Sequence, residues 1–321
     1  MADDNETNTT YAESKGMLKV GAVISSNCLV CAVIMFNNIL LLVTLARTRK
    51  LWTPPNAYIA SLSVADLLVG VVLVFRNFWL HPSTEWIFDD YKYACLSVIC
   101  LLYVSALQSQ ASLVLVSLDR YLYIVHPFWY QRNVTSRVTA GIIGFTWLVS
   151  ISIGFLPLEL NMFSSETGCN PLEMISKTYL MICFNTFFFL SASLIVVMYG
   201  RILCVGNRHR RQIEAVMLST MPRRCHMLTK AEKFHWQVIK FLMLVCGLFF
   251  LCWTPLAVTS VVYFTAGLPK LLVSIMVSIS AINSALNFYV LIVMDKNFKE
   301  AFMSTICCCS ARQSADLCGG D

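Results

Sequence analysis

Four groups of residues in this chain have types and spacings that could do chemistry. Asp66 stands in the run Ala57 to Phe75, which holds no other charged residue. A carboxylate at that depth of an apolar helix costs about 2.5 to 3.5 kcal/mol on insertion scales, so polar neighbours or an ion must compensate it. Asn38, Ser109, Asn283, Ser284 and Asn287 fall at similar depth in other apolar runs. Two readings stay open: a hydrogen-bonded network that holds helices together, or a site for a small cation such as Na⁺, which prefers oxygen ligands. Asp119-Arg120-Tyr121 closes another run with an acid–base pair. Such a pair is either a snorkelling anchor or a guanidinium held for release, beside the basic clusters Arg208 to Arg211 and Arg223-Arg224 that suit an acidic partner or anionic lipid. Phe249, Cys252, Trp253 and Pro255 set a large indole beside a residue that removes a backbone donor and kinks a helix. That combination is a two-position switch or a packed tryptophan beside a harmless kink. The fourth group is a pair of cysteines, Cys95 and Cys169, whose meaning depends on which side of a membrane they face.

The elements that must position these residues are membrane helices. Of the 321 residues 57% are apolar and 13% charged, about half the charged fraction of a soluble domain. The net charge of +6 is too mild to suggest nucleic acid, and the apolar excess excludes disorder. A helix needs about 20 apolar residues to cross a bilayer, and backbone groups in lipid must pair within their own segment. Seven runs meet this: Val20 to Ala46, Ala57 to Phe75, Ala94 to Leu118, Val138 to Leu158, Thr178 to Gly200, Phe241 to Pro269 and Leu271 to Met294. The expected fold is an all-α seven-helix membrane bundle over 20–294, after a tail of 1–19 and before a cytoplasmic segment of 295–321.

Basic residues favour the inner face. Arg47, Arg49 and Lys50, the stretch Arg201 to Lys240, and Lys296, Lys299 and Arg312 all fall on one side. That side is expected inside, with the N-terminus out and the C-terminus in. Residues 1–19 lack the pattern of a cleaved signal peptide, so the first helix is expected to direct insertion. Asn5 and Asn8 then lie outside as glycosylation acceptors. Of the 14 cysteines, only Cys95 and Cys169 occupy external connections or their edges. The expectation is a disulfide between them, the alternative two free thiols. Cys307, Cys308 and Cys309 follow an amphipathic stretch with Phe298 and Phe302, and are candidates for palmitoylation or a plain reduced cluster.

Taken together, these motifs resemble the rhodopsin-like (class A) family of G-protein-coupled receptors from about Val20 to Cys309. The resemblance rests on Asn38, Leu62-Ser63-Val64-Ala65-Asp66, Cys95 with Cys169, Ser109, Asp119-Arg120-Tyr121 and Pro127-Phe128. Trp147, Pro157, Tyr199, Phe249-x-x-Cys252-Trp253-x-Pro255, Asn283-Ser284-x-x-Asn287 and Phe298-Lys299-x-x-Phe302 also fit. It implies a plasma-membrane receptor that binds a small extracellular ligand and activates a heterotrimeric G protein. It further implies a sodium site at Asp66, Ser109, Asn283 and Asn287, no other cofactor, an Arg120 held by Asp119 at rest, and a Trp253 that senses ligand from below. Tyr121 and Tyr199 belong to the same coupling and switch set. The implied pocket comprises Leu102, Tyr103, Ala106, Cys183, Phe187, Trp253, Leu256, Ala257 and Val277.

Two departures bear on output. The family's Asn-Pro-x-x-Tyr stands here as Asn287-Phe288-Tyr289-Val290-Leu291, and Ser191 replaces the usual proline of the fifth span. A heptahelical protein that binds ligand or a partner receptor without signalling is therefore the competing reading. A transporter or channel is disfavoured by the single buried acid and the lack of a repeat, and an enzyme by the lack of any catalytic constellation. Amine receptors of the family carry an Asp eighteen residues before the motif arginine; Leu102 holds that position here, and Ala281 stands where a retinal lysine would be. A neutral or lipid-like ligand is expected instead. Arg76 is assigned either to a ligand carboxylate or, preferentially, to an ion pair with Glu85, Asp89 or Asp90.

Overall fold

Charge-free stretches become helices because no other form satisfies the backbone in lipid. In the computed structural model, which describes residues 3–162, 169, 174–217, 222–294 and 296–305, seven helices are long and apolar enough to cross a membrane. They are α1 (Asp3–Arg47), α2 (Pro54–Leu80), α3 (Lys92–Val125), α4 (Ser136–Gly154), α5 (Thr186–Met217), α6 (Pro222–Ala266) and α7 (Lys270–Met294). An eighth helix, α8, covers 296–305. The only β-type pairing among the described residues is an isolated bridge between Asn161 and Ile175.

Helix ends follow local chemistry. Pro54 opens α2, where its missing N–H costs nothing and its φ is already helical. Thr135 caps α4 by accepting from the Val138 amide. α6 stops at Ala266, short of the expected Pro269, because Gly267 takes φ 69° and turns the chain toward α7. Pro157 falls beyond α4, in a 3-10 turn over Leu156–Leu158. The first helix is longer than its apolar run: the backbone of residues 3–19, expected as a separate tail, continues α1. The side chains of Asn5 and Asn8 lie outside the described residues, as do Cys307, Cys308 and Cys309.

The helices close into a ring around α3, the most buried span. α1 packs on α2 and α7, α2 on α3, α3 on α4 and α5, α5 on α6, and α6 on α7. α4 is the most peripheral span. Where it meets α3 it comes close through Gly154, whose absent Cβ would sit 2.8 Å from the Val104 backbone nitrogen. A buried polar knot joins α2, α3 and α4. The Gln108 amide lies 3.0 to 3.3 Å from the hydroxyls of Ser61, Ser112, Thr146 and Ser150, and Trp147 Nε1 donates to Ser61 Oγ at 3.0 Å.

The altered seventh span is accommodated by packing. With no proline, α7 runs unbroken from Lys270 to Met294. Phe288 is buried and meets Phe298 and Phe302 of α8 edge-on, with ring centroids 6.4 and 5.4 Å apart. Leu291 is buried in the same cluster with Leu41, Leu45 and Tyr58, while Tyr289 faces outward. The fifth span lacks its proline as well: α5 passes straight through the buried Ser191, and the irregularity comes earlier, as a π-helical turn over Leu180–Asn185.

Candidate functional site

Three features are stacked along the bundle. The first is a narrow cavity between α2, α3, α6 and α7. Val69, Val72, Leu73, Arg76, Leu102, Ala106, Trp253, Val277, Ser280, Ala281 and Ser284 line it. Leu102, Ala106, Trp253 and Val277 of the implied pocket are among these lining residues. The rest of the expected pocket does not line this cavity. On the α3–α5 side, Tyr103 packs edge-on against Tyr179 and Phe184 at centroid distances of 5.3 and 5.8 Å. Phe184 and Phe249 in turn flank Trp253 at 6.2 and 6.4 Å. These rings fill that side: Tyr103 and Ala257 are buried in the apolar core there, and Cys183 and Leu256 pack against it, while the cavity lies toward α2 and α7.

Arg76 is only 5% exposed; it lines the cavity, and its Nη1 donates to Ser278 Oγ at 3.1 Å. One partner is thus on α7, while the sequence favoured the acids of the neighbouring loop. Ser278 Oγ passes its own proton to Asn27 Oδ1 at 2.7 Å, which ties α1, α2 and α7 together. Asp89, one of those loop acids, accepts instead from the Cys169 amide at 2.7 Å. Cys169 is bonded to Cys95, and that disulfide joins its connection to the start of α3.

The second layer is Asp66, fully buried. Its Oδ1 accepts from Ser109 Oγ at 2.9 Å and Ser284 Oγ at 2.7 Å, and its Oδ2 from Asn287 Nδ2 at 2.7 Å. Three donors from α3 and α7 compensate one carboxylate on α2. Ser284 both lines the cavity and bonds Asp66, so the two layers share a side chain. Asn283 is buried nearby, but its Nδ2 has no hydrogen-bond partner among the described residues. Asn38 bonds across to the Ser284 carbonyl at 3.2 Å.

The third layer is at the opposite end of α3 from Cys95. Arg120 Nε and Nη2 both donate to Asp119 Oδ2, at 2.9 and 2.6 Å. Asp119 Oδ1 accepts from Tyr130 in the short helix Pro127–Asn133 at 2.8 Å. Burial, and then the bond to Asp119, push the Tyr130 phenol above its ordinary pKa, which keeps it a donor. Tyr121 packs on His126. The Tyr199 hydroxyl on α5 lies 2.7 Å from Ser117 Oγ.

A family model described as "7 transmembrane receptor (rhodopsin family)" matches residues 37–288. The chain belongs to that family. This receptor is 26% identical over 95% of its length to the 5-hydroxytryptamine receptor 4 of Cavia porcellus, covering 84% of that protein. It is 25% identical over 98% of its length to the octopamine receptor beta-2R of Chilo suppressalis, covering 87% of it. It is also 25% identical over 91% of its length to the D(5)-like dopamine receptor of Takifugu rubripes, covering 70% of it. The protein is a multi-pass plasma-membrane G-protein-coupled receptor and not an enzyme.

Some working residues of the receptor escaped the sequence reading. Ser284 reads in the sequence only as a polar residue at the depth of Asp66, and the resemblance does not assign it to the sodium site, yet it donates to Asp66 Oδ1. Tyr130 carried no signal beyond lying eleven residues after Asp119. The α2 wall of the cavity, Val69, Val72 and Leu73, reads as ordinary span residues.

Proposed function

We propose that this receptor responds to a small, largely apolar ligand rather than to a protonated amine, and that it couples through Arg120 to a heterotrimeric G protein. The observation that carries the first half is the cavity wall: Leu102 fills the position of the amine-receptor carboxylate, and the charged residue of the lining is the cation Arg76. The relatives' names point to serotonin, octopamine and dopamine, but an ammonium here would meet a like charge and no counter-ion among the described lining residues. The apolar remainder of the lining supports a lipid-like body.

Positive-inside patterning supports an orientation in which the cavity end faces out and the Arg120 end faces the cytosol. Asp66, Ser109 and Ser284 fit a small hard cation, because they gather carboxylate and hydroxyl oxygens in one buried cluster, with Asn287 donating to Asp66 from the other side. A bound Na⁺ would supply charge neutralisation at Asp66 and tie α2, α3 and α7. Ligand and cation would shift populations between a closed and an open bundle, each by its differential affinity.

The test is G-protein recruitment at the cell surface with serotonin, octopamine and dopamine. No amine is expected to activate, and a saturable response to any of them overturns the ligand assignment. A second reading, binding without signalling, is favoured by Leu291, which is buried in an apolar cluster and offers no hydroxyl. Basal recruitment should be low and should rise in the Phe288→Pro, Leu291→Tyr double variant. Arg120→Ala should remove that signal with surface expression intact. If neither form recruits any G protein, the non-signalling reading prevails.

A further inference from the structure

We infer that the connection between α1 and α2 and the helix α8 together bind the polyphosphorylated headgroup of an anionic phospholipid. The inference rests on the reading that the Arg120 end of the bundle faces the cytosol, and adds a partner to that face.

Both elements are held at the Arg120 end. Leu51 in the connection and Phe298 in α8 are buried in one apolar cluster with Val116, which stands about one turn before Arg120 on α3. Only residues 48–53 separate α1 from α2, too few to carry a side chain far from the span ends. α8 divides by the helical period. Phe298, Ala301 and Phe302 belong to the apolar cluster, while Lys296, Lys299 and Met303 form the opposite, exposed stripe.

What these elements expose is cationic and partly apolar. Arg49, Lys50, Lys296 and Lys299 are exposed, and none is ion-paired among the described residues. Arg47 nearby is already engaged and is not among them. Glu300, at the edge of the α8 stripe, is exposed and can neutralise one cation of the four; Asp295 lies outside the described residues. Trp52 is 67% exposed, with its Nε1 fixed on the Leu45 carbonyl at 3.0 Å, and Met303 is 52% exposed. Cations so close to the span ends meet phospholipid headgroups before any soluble partner. That layer favours an indole and attracts juxtamembrane Lys and Arg through its anionic lipids. Cations presented from two elements match a headgroup with several phosphates, since charge-assisted bonds from both can converge on it. Phosphatidylserine, with a single net charge, answers only part of the set.

The experiment titrates the full-length purified receptor with phosphatidylinositol bisphosphate, phosphatidylserine and phosphatidylcholine, and counts retained lipids by native mass spectrometry. A single bisphosphate lipid per receptor should be retained, with an apparent Kd roughly tenfold or more below that of phosphatidylserine. Arg49→Gln with Lys50→Gln, and separately Lys296→Gln with Lys299→Gln, should each weaken that same lipid about tenfold at unchanged thermal midpoint. Arg208→Gln with Arg211→Gln, exposed cations on α5, should not. Equal retention of the bisphosphate and serine lipids, an equal loss from the α5 variant, or two lipids each lost with its own pair would overturn the shared site. Variants that keep the lipid but lose G-protein recruitment would overturn it too, by making the patch a protein contact. A C-terminal epitope read on intact and permeabilised cells reports orientation separately. An epitope exposed on intact cells removes the cytosolic reading and this inference with it. An epitope seen only after permeabilisation, with no lipid preference, removes the inference alone.

Discussion

Asp119 takes two hydrogen bonds from Arg120 and one from Tyr130, so the guanidinium is held by a carboxylate that is itself oriented. The Arg120 side chain is 24% exposed and its partner 1%, which places the pair between the weak surface case and the strong buried one. Removing the Tyr130 hydroxyl should loosen the hold by about 1 kcal/mol, a factor of about five in the population that releases Arg120. Tyr130→Phe is therefore expected to raise basal G-protein recruitment several-fold at unchanged surface expression; unchanged or lower recruitment would contradict the holding role. The phenol pKa is raised in the folded protein. This contribution is thus fully present below the ordinary value of about 10 and is lost only as pH climbs through the raised one. Recruitment by the unmutated receptor should show no Tyr130-dependent step between about pH 6 and pH 9.

At Asp66 the matching prediction concerns ions. NaCl should raise the thermal midpoint of the purified receptor where equal choline chloride does not, and Asp66→Asn should abolish the difference. Equal responses to both salts in the unmutated protein would remove sodium from the proposal and leave a purely hydrogen-bonded network. That network was legible in the sequence because a lone acid in an apolar run demands partners, and few polar residues lay at its depth. Tyr130 was not legible, because a tyrosine near a membrane face has many uses and its bond to Asp119 depends on how the short helix folds back.

Among the elements, α3 and α4 make the closest approach through a glycine. An added Cβ at Gly154 would meet Val104 Cγ2, and would lie 2.8 Å from the Val104 nitrogen and 3.0 Å from its Cα. Backbone cannot swing aside as a side chain does, so the helices must separate. Gly154→Ala should destabilise by about 1 to 3 kcal/mol, a drop of several degrees in thermal midpoint. Gly144→Ala on the same helix, where a Cβ meets nothing within 4 Å, should leave it unchanged. The spans themselves could be read from the chain because charges are scarce enough to mark their ends. The side on which the cavity lies could not. That depends on Tyr103, Tyr179 and Phe184 interlocking, and one run of apolar letters does not reveal which aromatic rings meet across two helices. The burial of Arg76 is hidden for a related reason: it ends the uncharged run, which suggests a surface position, yet α2 continues to Leu80 and carries Arg76 inward of the helix end.

For the molecule as a whole, the Cys95–Cys169 bond and the Asp89 carboxylate on the Cys169 amide together pin one connection to the mouth of the ring. Cys169→Ser should lower surface expression and thermal midpoint. If the intact protein instead alkylates at both cysteines without reduction, the bond does not form in the membrane.

The length of α6 has a mechanical consequence. Its near end is tethered, since only residues 267–269 separate it from α7. Pro255 interrupts its hydrogen-bond ladder eleven residues from that tether. Beyond the proline the helix continues to Pro222, an arm of about 50 Å at 1.5 Å per residue. A bend of about 10° at Pro255 would then displace Met243 by about 3 Å and the far tip by about 9 Å. Small rearrangements at Trp253 therefore reach the other end as large ones, by leverage alone. Spin labels placed along this arm should report distance changes that grow in proportion to their separation from Pro255, whereas a rigid translation of α6 would give equal changes at every label.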